Sequence, residues 1–171
     1  MNTRYRFRPY FSAIAAACMG LALASTAGAV DLRSWDMKIN DVTKRFIVLP
    51  AFGNQAVLDK QTQLVWDRSP GSGSTYFDGA HVVCLGNAIG GTKGWRLPTA
   101  AELLSLQGVG AQTLPAGHPF LYVSSSNYWT ATSQPINASL AITVNMKVYD
   151  MAFVAKYSGK ASVWCVRGPG Q

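Results

Sequence analysis

Apolar and polar positions along the chain change rhythm several times, and each change marks an element. Residues 11–23 form an apolar run of 13 positions. Farther on, residues 45–49 read as a short strand that Pro50 ends. Ala56-Val57-Leu58 and Leu64-Val65-Trp66 then read as the arms of a hairpin around the five polar residues 59–63. Residues 67–75, with Ser69-Pro70-Gly71-Ser72-Gly73-Ser74, lack an apolar rhythm and read as a mobile loop. Phe77, Ala80, His81, Cys84, Leu85 and Ala88 fall three and four apart, so a helix of about three turns is expected to bury that face and to end at Gly90-Gly91.

The clearest start signal is Gly94-Trp95-Arg96-Leu97-Pro98-Thr99-Ala100-Ala101-Glu102. Thr99 followed three residues later by Glu102 is a capping box, in which hydroxyl and carboxylate each take a backbone N–H of the other's residue. Pro98 brings the chain in extended. A helix is therefore predicted from Thr99 through Leu103, Leu104 and Leu106 to about Gly108. Ahead of it, Trp95 and Leu97 alternate with Arg96, sending two side chains inward and a guanidinium outward.

Residues 108–126 are rich in glycine, proline and serine and read as a long loop, a candidate binding rim. The last third alternates with period two. Residues 127–132, then Leu140, Ile142, Val144 and Met146, then Met151, Phe153, Ala155 and Tyr157 predict an antiparallel meander, and residues 163–167 a closing strand. The pattern is that of one α+β domain: two helices packed on antiparallel strands, a hairpin near the N-terminus and a meander near the C-terminus.

The apolar run at residues 11–23 follows Arg4, Arg6 and Arg8 and precedes Ala27-Gly28-Ala29, the layout of a secretory signal peptide over residues 1–29. A bilayer span takes roughly 18 or more apolar residues, so no integral membrane segment is expected after cleavage. Cys18 inside the run loosely resembles a lipoprotein site but lacks the usual leucine. The expected divisions are then an irregular lead-in over residues 30–44, with Trp35 its one large apolar group, a single domain over 45–168, and a tail over 169–171.

Cleavage changes the charge. The 171-residue chain carries net charge +7, but the leader holds three arginines and no acid, so twelve basic and eight acidic residues remain, a net +4. That mild excess, without a basic run interleaved by aromatics, does not point to nucleic acid. It suits an acidic polysaccharide or an ordinary soluble surface. Export also governs the cysteines. Cys84 and Cys165 are an even pair, and an even pair in an exported protein reads as a disulfide. Closing so long a loop contributes on the order of 4 kcal/mol in the chain-entropy model. The alternative, a zinc site, lacks ligands: His81 shares a helical face with Cys84, but His118 lies between Gly117 and Pro119.

Residues 57–66, the cysteine-bearing helix, Gly94-Trp95-Arg96-Leu97-Pro98-Thr99 with Glu102-Leu103, Tyr128-Trp129-Thr130-Ala131-Thr132 and Trp164-Cys165-Val166-Arg167-Gly168 occur in an order that resembles the Lcl C-terminal domain family, named for a collagen-like bacterial adhesin. The resemblance covers residues 45–168. It implies a fold similar to C-type lectins and formylglycine-generating enzymes, in which a cysteine of the first helix bridges to the last strand, and Cys84 and Cys165 stand at those places. Gln63 departs from the glycine common in the family, which implies a different hairpin turn. Trp66, Trp95, Leu97, Pro98, Thr99, Glu102, Trp129 and Trp164 fall on the shared motifs and are expected to be structural.

A fold resemblance is not a function. Formylglycine-generating enzymes use a redox-active, metal-binding cysteine pair late in the domain, and here the single late cysteine has its partner engaged in the expected bridge. Calcium-dependent lectins use Glu-Pro-Asn or Gln-Pro-Asp with Trp-Asn-Asp; Gln134-Pro135-Ile136 lacks the third ligand. Glu102 is the sole glutamate, no Gly-x-Ser-x-Gly elbow occurs, and no close carboxylate pair is evident. No cofactor and no catalytic residue are expected. The reading is an exported, non-catalytic cell-envelope binding module for a polysaccharide or an envelope protein, located in the periplasm, at the cell surface or in the medium. Lys147, Tyr149, Lys156 and Lys160 are its candidate contacts, since a cation meets an anionic group and an aromatic ring covers a sugar face. The alternative is a metal- or thiol-dependent enzyme on the same scaffold. Asn137-Ala138-Ser139 matches a glycosylation sequon.

Overall fold

The computed structural model describes residues 38–108, 114–148 and 150–168. The expected signal peptide over residues 1–29, Trp35, Tyr149 and the expected tail lie outside the described residues. Elements follow in the order α1 (Val42–Arg45), β1 (Phe46–Val48), β2 (Ala56–Asp59), β3 (Leu64–Asp67), β4 (Gly71–Thr75), α2 (Phe77–Gly86), α3 (Ala100–Ser105), β5 (Asn127–Ser133), β6 (Leu140–Asn145), β7 (Met151–Ala155), β8 (Ala161–Val163) and β9 (Val166–Arg167). The fold is α+β. The lead-in is less irregular than expected, because Asp41 caps the single turn of α1 by accepting the Thr43 N–H at 3.0 Å.

Two sheets result. One is antiparallel with order β1-β2-β3-β9; the other has order β4-β8-β5-β6-β7 and is antiparallel except where β5 and β8 run parallel. The expected meander is β5-β6-β7. Two expectations need correction. Residues 67–75 are not a free loop, for Gly71–Thr75 pair with β8 as an edge strand; serine and glycine carry no apolar alternation, so only the partner strand reveals them. The closing strand is broken: β8 belongs to the second sheet and β9 to the first, with Trp164 and Cys165 carrying the chain between them.

A core lies on each face of the second sheet. Tyr128, Val144 and Met146 pack with Trp66, Trp164 and with Leu103 and Leu106 of the α3 segment. On the other face Trp129 and Ala141 pack with Trp95, Leu97, Val163 and with Phe77, Ala80 and Cys84 of α2. Trp66, Trp95, Leu97, Trp129 and Trp164 are fully buried. Being covered on both faces, β6 buries Ala141 and Thr143 as well as Val144, so the clean apolar alternation at 140–146 described only half of it. On β7 the alternating apolar face is outward: Met151 is 54% and Phe153 58% exposed. Leu85 and Ala88, assigned to the buried face of α2, are exposed too, because that helix ends at Gly86 and buries only Phe77, Ala80 and Cys84. Gly90 marks a later turn instead, with φ +62° and Phe52 so close that a Cβ would meet its Cα at 2.7 Å.

The predicted cap at Thr99 is present in full. Thr99 Oγ1 accepts the Glu102 N–H at 3.1 Å and Glu102 Oε2 accepts the Thr99 N–H at 2.8 Å. Glu102 does a second job by receiving Arg96 bidentately, at 2.8 and 2.7 Å. Burial pushes its carboxyl up, but the hydrogen bonds from Arg96 and Thr99 and the charge of Arg96 outweigh this and hold it below its ordinary value.

A second ion pair is fully buried. Arg45 Nε and Nη2 donate to Asp59 at 3.0 and 2.9 Å, and the same guanidinium donates to the backbone carbonyls of Ser105 and Gln107 at the end of α3. Asp59 thus ends β2 instead of opening the turn, and Arg45 belongs to α1 instead of starting the strand. Removing either partner strands a buried charge. Asp59→Ala is expected to lower the free energy of unfolding by about 3–5 kcal/mol, measured by urea denaturation. Gln63 adopts φ +62°, so the hairpin keeps a left-handed residue where glycine would sit without strain. The same measurement should show Gln63→Gly stabilising by about 0.5–1 kcal/mol and Gln63→Val destabilising.

Candidate functional site

Cys84 faces inward from α2 because it lies four residues after Ala80 and seven after Phe77 on the buried side. Cys165 reaches it from the link between β8 and β9. Their sulfurs are bonded at 2.05 Å with Cα atoms 5.4 Å apart, so the expected pairing is the one present. Both thiols are thereby withdrawn from chemistry.

Beside this bond the surface opens into a cleft of about 550 Å³ between β4, the end of α2 and the β3–β4 connection. Asp67, Ser69, Ser74 and Asn87 supply its polar lining, and Val83, Val163 and Cys165 its apolar side. Backbone bonds fix the acid in place: the Asp67 N–H donates to the Cys165 carbonyl at 3.0 Å and the Asp67 carbonyl accepts the Trp164 indole N–H at 2.8 Å. Among the described residues, its carboxylate accepts only the Ser69 N–H, at 2.9 Å. Burial pushes the Asp67 carboxyl up to about 6, against a smaller downward pull from that hydrogen bond. One aspartate after a strand tryptophan looks like the start of a polar loop, so no local signal marks this group.

The anticipated contacts are dispersed. Lys147 lines a second cleft of about 250 Å³ with His118, Ser124, Ser125 and Met146. His118 Nδ1 is buried there with no hydrogen-bond partner among the described residues, and burial lowers the imidazole pKa against a smaller opposing contribution from the Phe120 backbone. Lys156 and Lys160 lie beyond the opposite end of β7 from Lys147. The Lys156 ammonium donates to Ser133 Oγ at 2.7 Å and sits 4.7 Å from the Phe77 ring centroid, and that of Lys160 lies 4.9 Å from the Tyr76 ring. These two cations therefore serve the fold's own aromatic rings. His81 stacks edge-on against Phe77, ring centroids 4.7 Å apart. Among the described residues, no group of three His, Cys, Asp or Glu is placed to hold a metal ion.

A family model described as the Lcl C-terminal domain matches residues 55–167. No curated protein matches the chain at a significant level. The matched span holds the hairpin, both cysteines, the capped helix and both clefts.

Asp67 ties the site to pH. Its folded pKa of about 6 lies above its ordinary 3.8, so its stabilising contribution is complete below pH 3.8 and is lost as pH rises through 6. Asp67→Asn keeps an oxygen for the Ser69 N–H and removes the charge. Relative to that variant, the native chain is expected to lose on the order of 1–2 kcal/mol of stability between about pH 4 and pH 7, its partial exposure being allowed for. Urea unfolding of both proteins across that range checks this.

Proposed function

The chain belongs to the Lcl C-terminal domain family, and from that membership we propose that it is an exported, non-catalytic binding module of the cell envelope whose partner is a polysaccharide or an envelope protein. The family itself points to a secreted or surface module. The leader-like segment and the disulfide fit the same compartment, since such bonds persist in oxidising surroundings. Among the described residues, no helix is long and apolar enough to cross a membrane.

The observation that carries the reading is the bond between Cys84 and Cys165. It ties helix to sheet and leaves the domain offering surface clefts in place of a reactive thiol. Lys147 is the favoured cation for an anionic partner, because it lines a cleft that also holds Ser125 and, unlike Lys156 and Lys160, rests on no described aromatic ring. Lys156 and Lys160 contribute less, being held against Phe77 and Tyr76.

Thiol titration of the mature protein, unfolded without reductant, is expected to find no free thiol and elemental analysis no stoichiometric metal. A free thiol or a bound metal would favour the thiol- or metal-dependent enzyme instead. Affinity for a sulfated polysaccharide should fall with added salt and should fall several-fold in Lys147→Ala. Silence against both such polymers and a glycan array would remove the glycan reading and leave a protein partner, to be sought by pull-down from envelope extract.

A further inference from the structure

The cleft beside the disulfide holds a negative charge that no described residue answers. One carboxylate oxygen of Asp67 accepts the Ser69 N–H, and no described residue engages the other. Among the described residues, no lysine or arginine lines the cleft. Arg68, next in the chain, sends its guanidinium the other way, to the carbonyls of Asn54 and Pro119 at 3.1 and 3.0 Å. Lys93 reaches only the Gly86 carbonyl at the rim, at 3.4 Å. From α2, the β4 strand, Val163 and Cys165 no other charged group faces the acid.

A carboxylate drawn out of water without a counter-ion is unfavourable until it is protonated or paired. Burial raises the pKa of this one, and a cation placed beside its free oxygen would offset part of that cost. The rest of the cleft narrows the choice of cation. The hydroxyls of Ser69 and Ser74 and the amide nitrogen of Asn87 make no hydrogen bond among the described residues, which leaves them open to a hydroxyl-bearing ligand. Val83, 53% exposed, and Val163 give an apolar wall for a carbon face. The volume of about 550 Å³ lies within the range of small-molecule sites.

The geometry points to a binding site for a small hydroxylated ligand bearing a protonated amine, of amino-sugar size, whose ammonium rests on the free oxygen of Asp67. Its hydroxyls meet Ser69, Ser74 and Asn87, and its carbon face lies against Val83 and Val163. This goes beyond the reading above and does not need it. An anionic polymer at Lys147 and an amine at Asp67 occupy clefts that share no residue.

The test is an amide NMR titration of the mature, disulfide-bonded protein with glucosamine hydrochloride at matched salt, beside glucose, N-acetylglucosamine and calcium chloride. Glucosamine is expected to shift the Ser69, Ser74 and Asn87 amides saturably, while the two neutral sugars leave them in place. Asp67→Asn should weaken that binding at least tenfold. Moving from about pH 7 to about pH 5 should weaken it about tenfold as the carboxyl takes up its proton. An equal response to the neutral sugars, an undiminished response in Asp67→Asn, the same shifts with calcium, or no shift from glucosamine would each overturn the proposal. None of these outcomes touches the polysaccharide measurement at Lys147, so the two readings fail separately.

Discussion

The two sheets are held together where the chain crosses from one to the other. Between β8 and β9 only Trp164 and Cys165 intervene, and both are anchored: Cys165 by its bond to Cys84 of α2, Trp164 by burial against Trp66, Phe120 and Tyr128 at ring separations of 5.7, 5.1 and 5.6 Å. The tryptophan fills the core on one face of the second sheet while the cysteine fills the core on the other. A displacement of this crossing would disturb both, because close-packed interiors transmit strain and do not absorb it. Asp67 depends on it as well, since its backbone N–H and carbonyl are bonded to Cys165 and Trp164. The cleft thus inherits its shape from the covalent link.

Polar anchors complete the assembly. Arg45 joins the N-terminal sheet to the end of α3 by pairing with Asp59 and by donating to the carbonyls of Ser105 and Gln107 there. Arg96 does the corresponding work on the outer side: its backbone pairs with Val166 in both directions at 2.9 Å, and its guanidinium locks the glutamate that caps α3. Buried ion pairs add little net stability over apolar packing. Their directional bonds instead fix which strand lies beside which helix end.

Charge is distributed unevenly over this frame. The surface carries exposed lysines, yet the cleft beside the disulfide is lined by an acid and no described lysine or arginine, and that acid is placed by backbone bonds while the lysines at 156 and 160 rest on aromatic rings. Preformed polar groups without internal partners are where a rigid scaffold retains binding capacity. An outward apolar face remains on β7, where Met151 and Phe153 stand on an edge strand of the second sheet.

Local signals in the chain were sufficient for the hairpin, the capped helix at Thr99, the meander and the burial of four of its five tryptophans, because each rests on neighbours within a few residues. Caps and alternation are short-range physics. The strand at 71–75, the break between β8 and β9, the partner of Asp59 and the outward face of β7 were not legible. Each is decided by a group far away in the chain: β8 supplies the hydrogen bonds for serine and glycine, Arg45 reaches across fourteen residues to Asp59, and the edge position of β7 leaves its apolar residues uncovered. Of the candidate site, an even cysteine pair behind a leader-like segment was enough to expect the Cys84–Cys165 bond that is present. Only the tertiary structure brought Asp67, Ser69, Ser74 and Asn87 around one cleft, since burial and missing counter-charge are properties of packing that no single stretch of sequence contains.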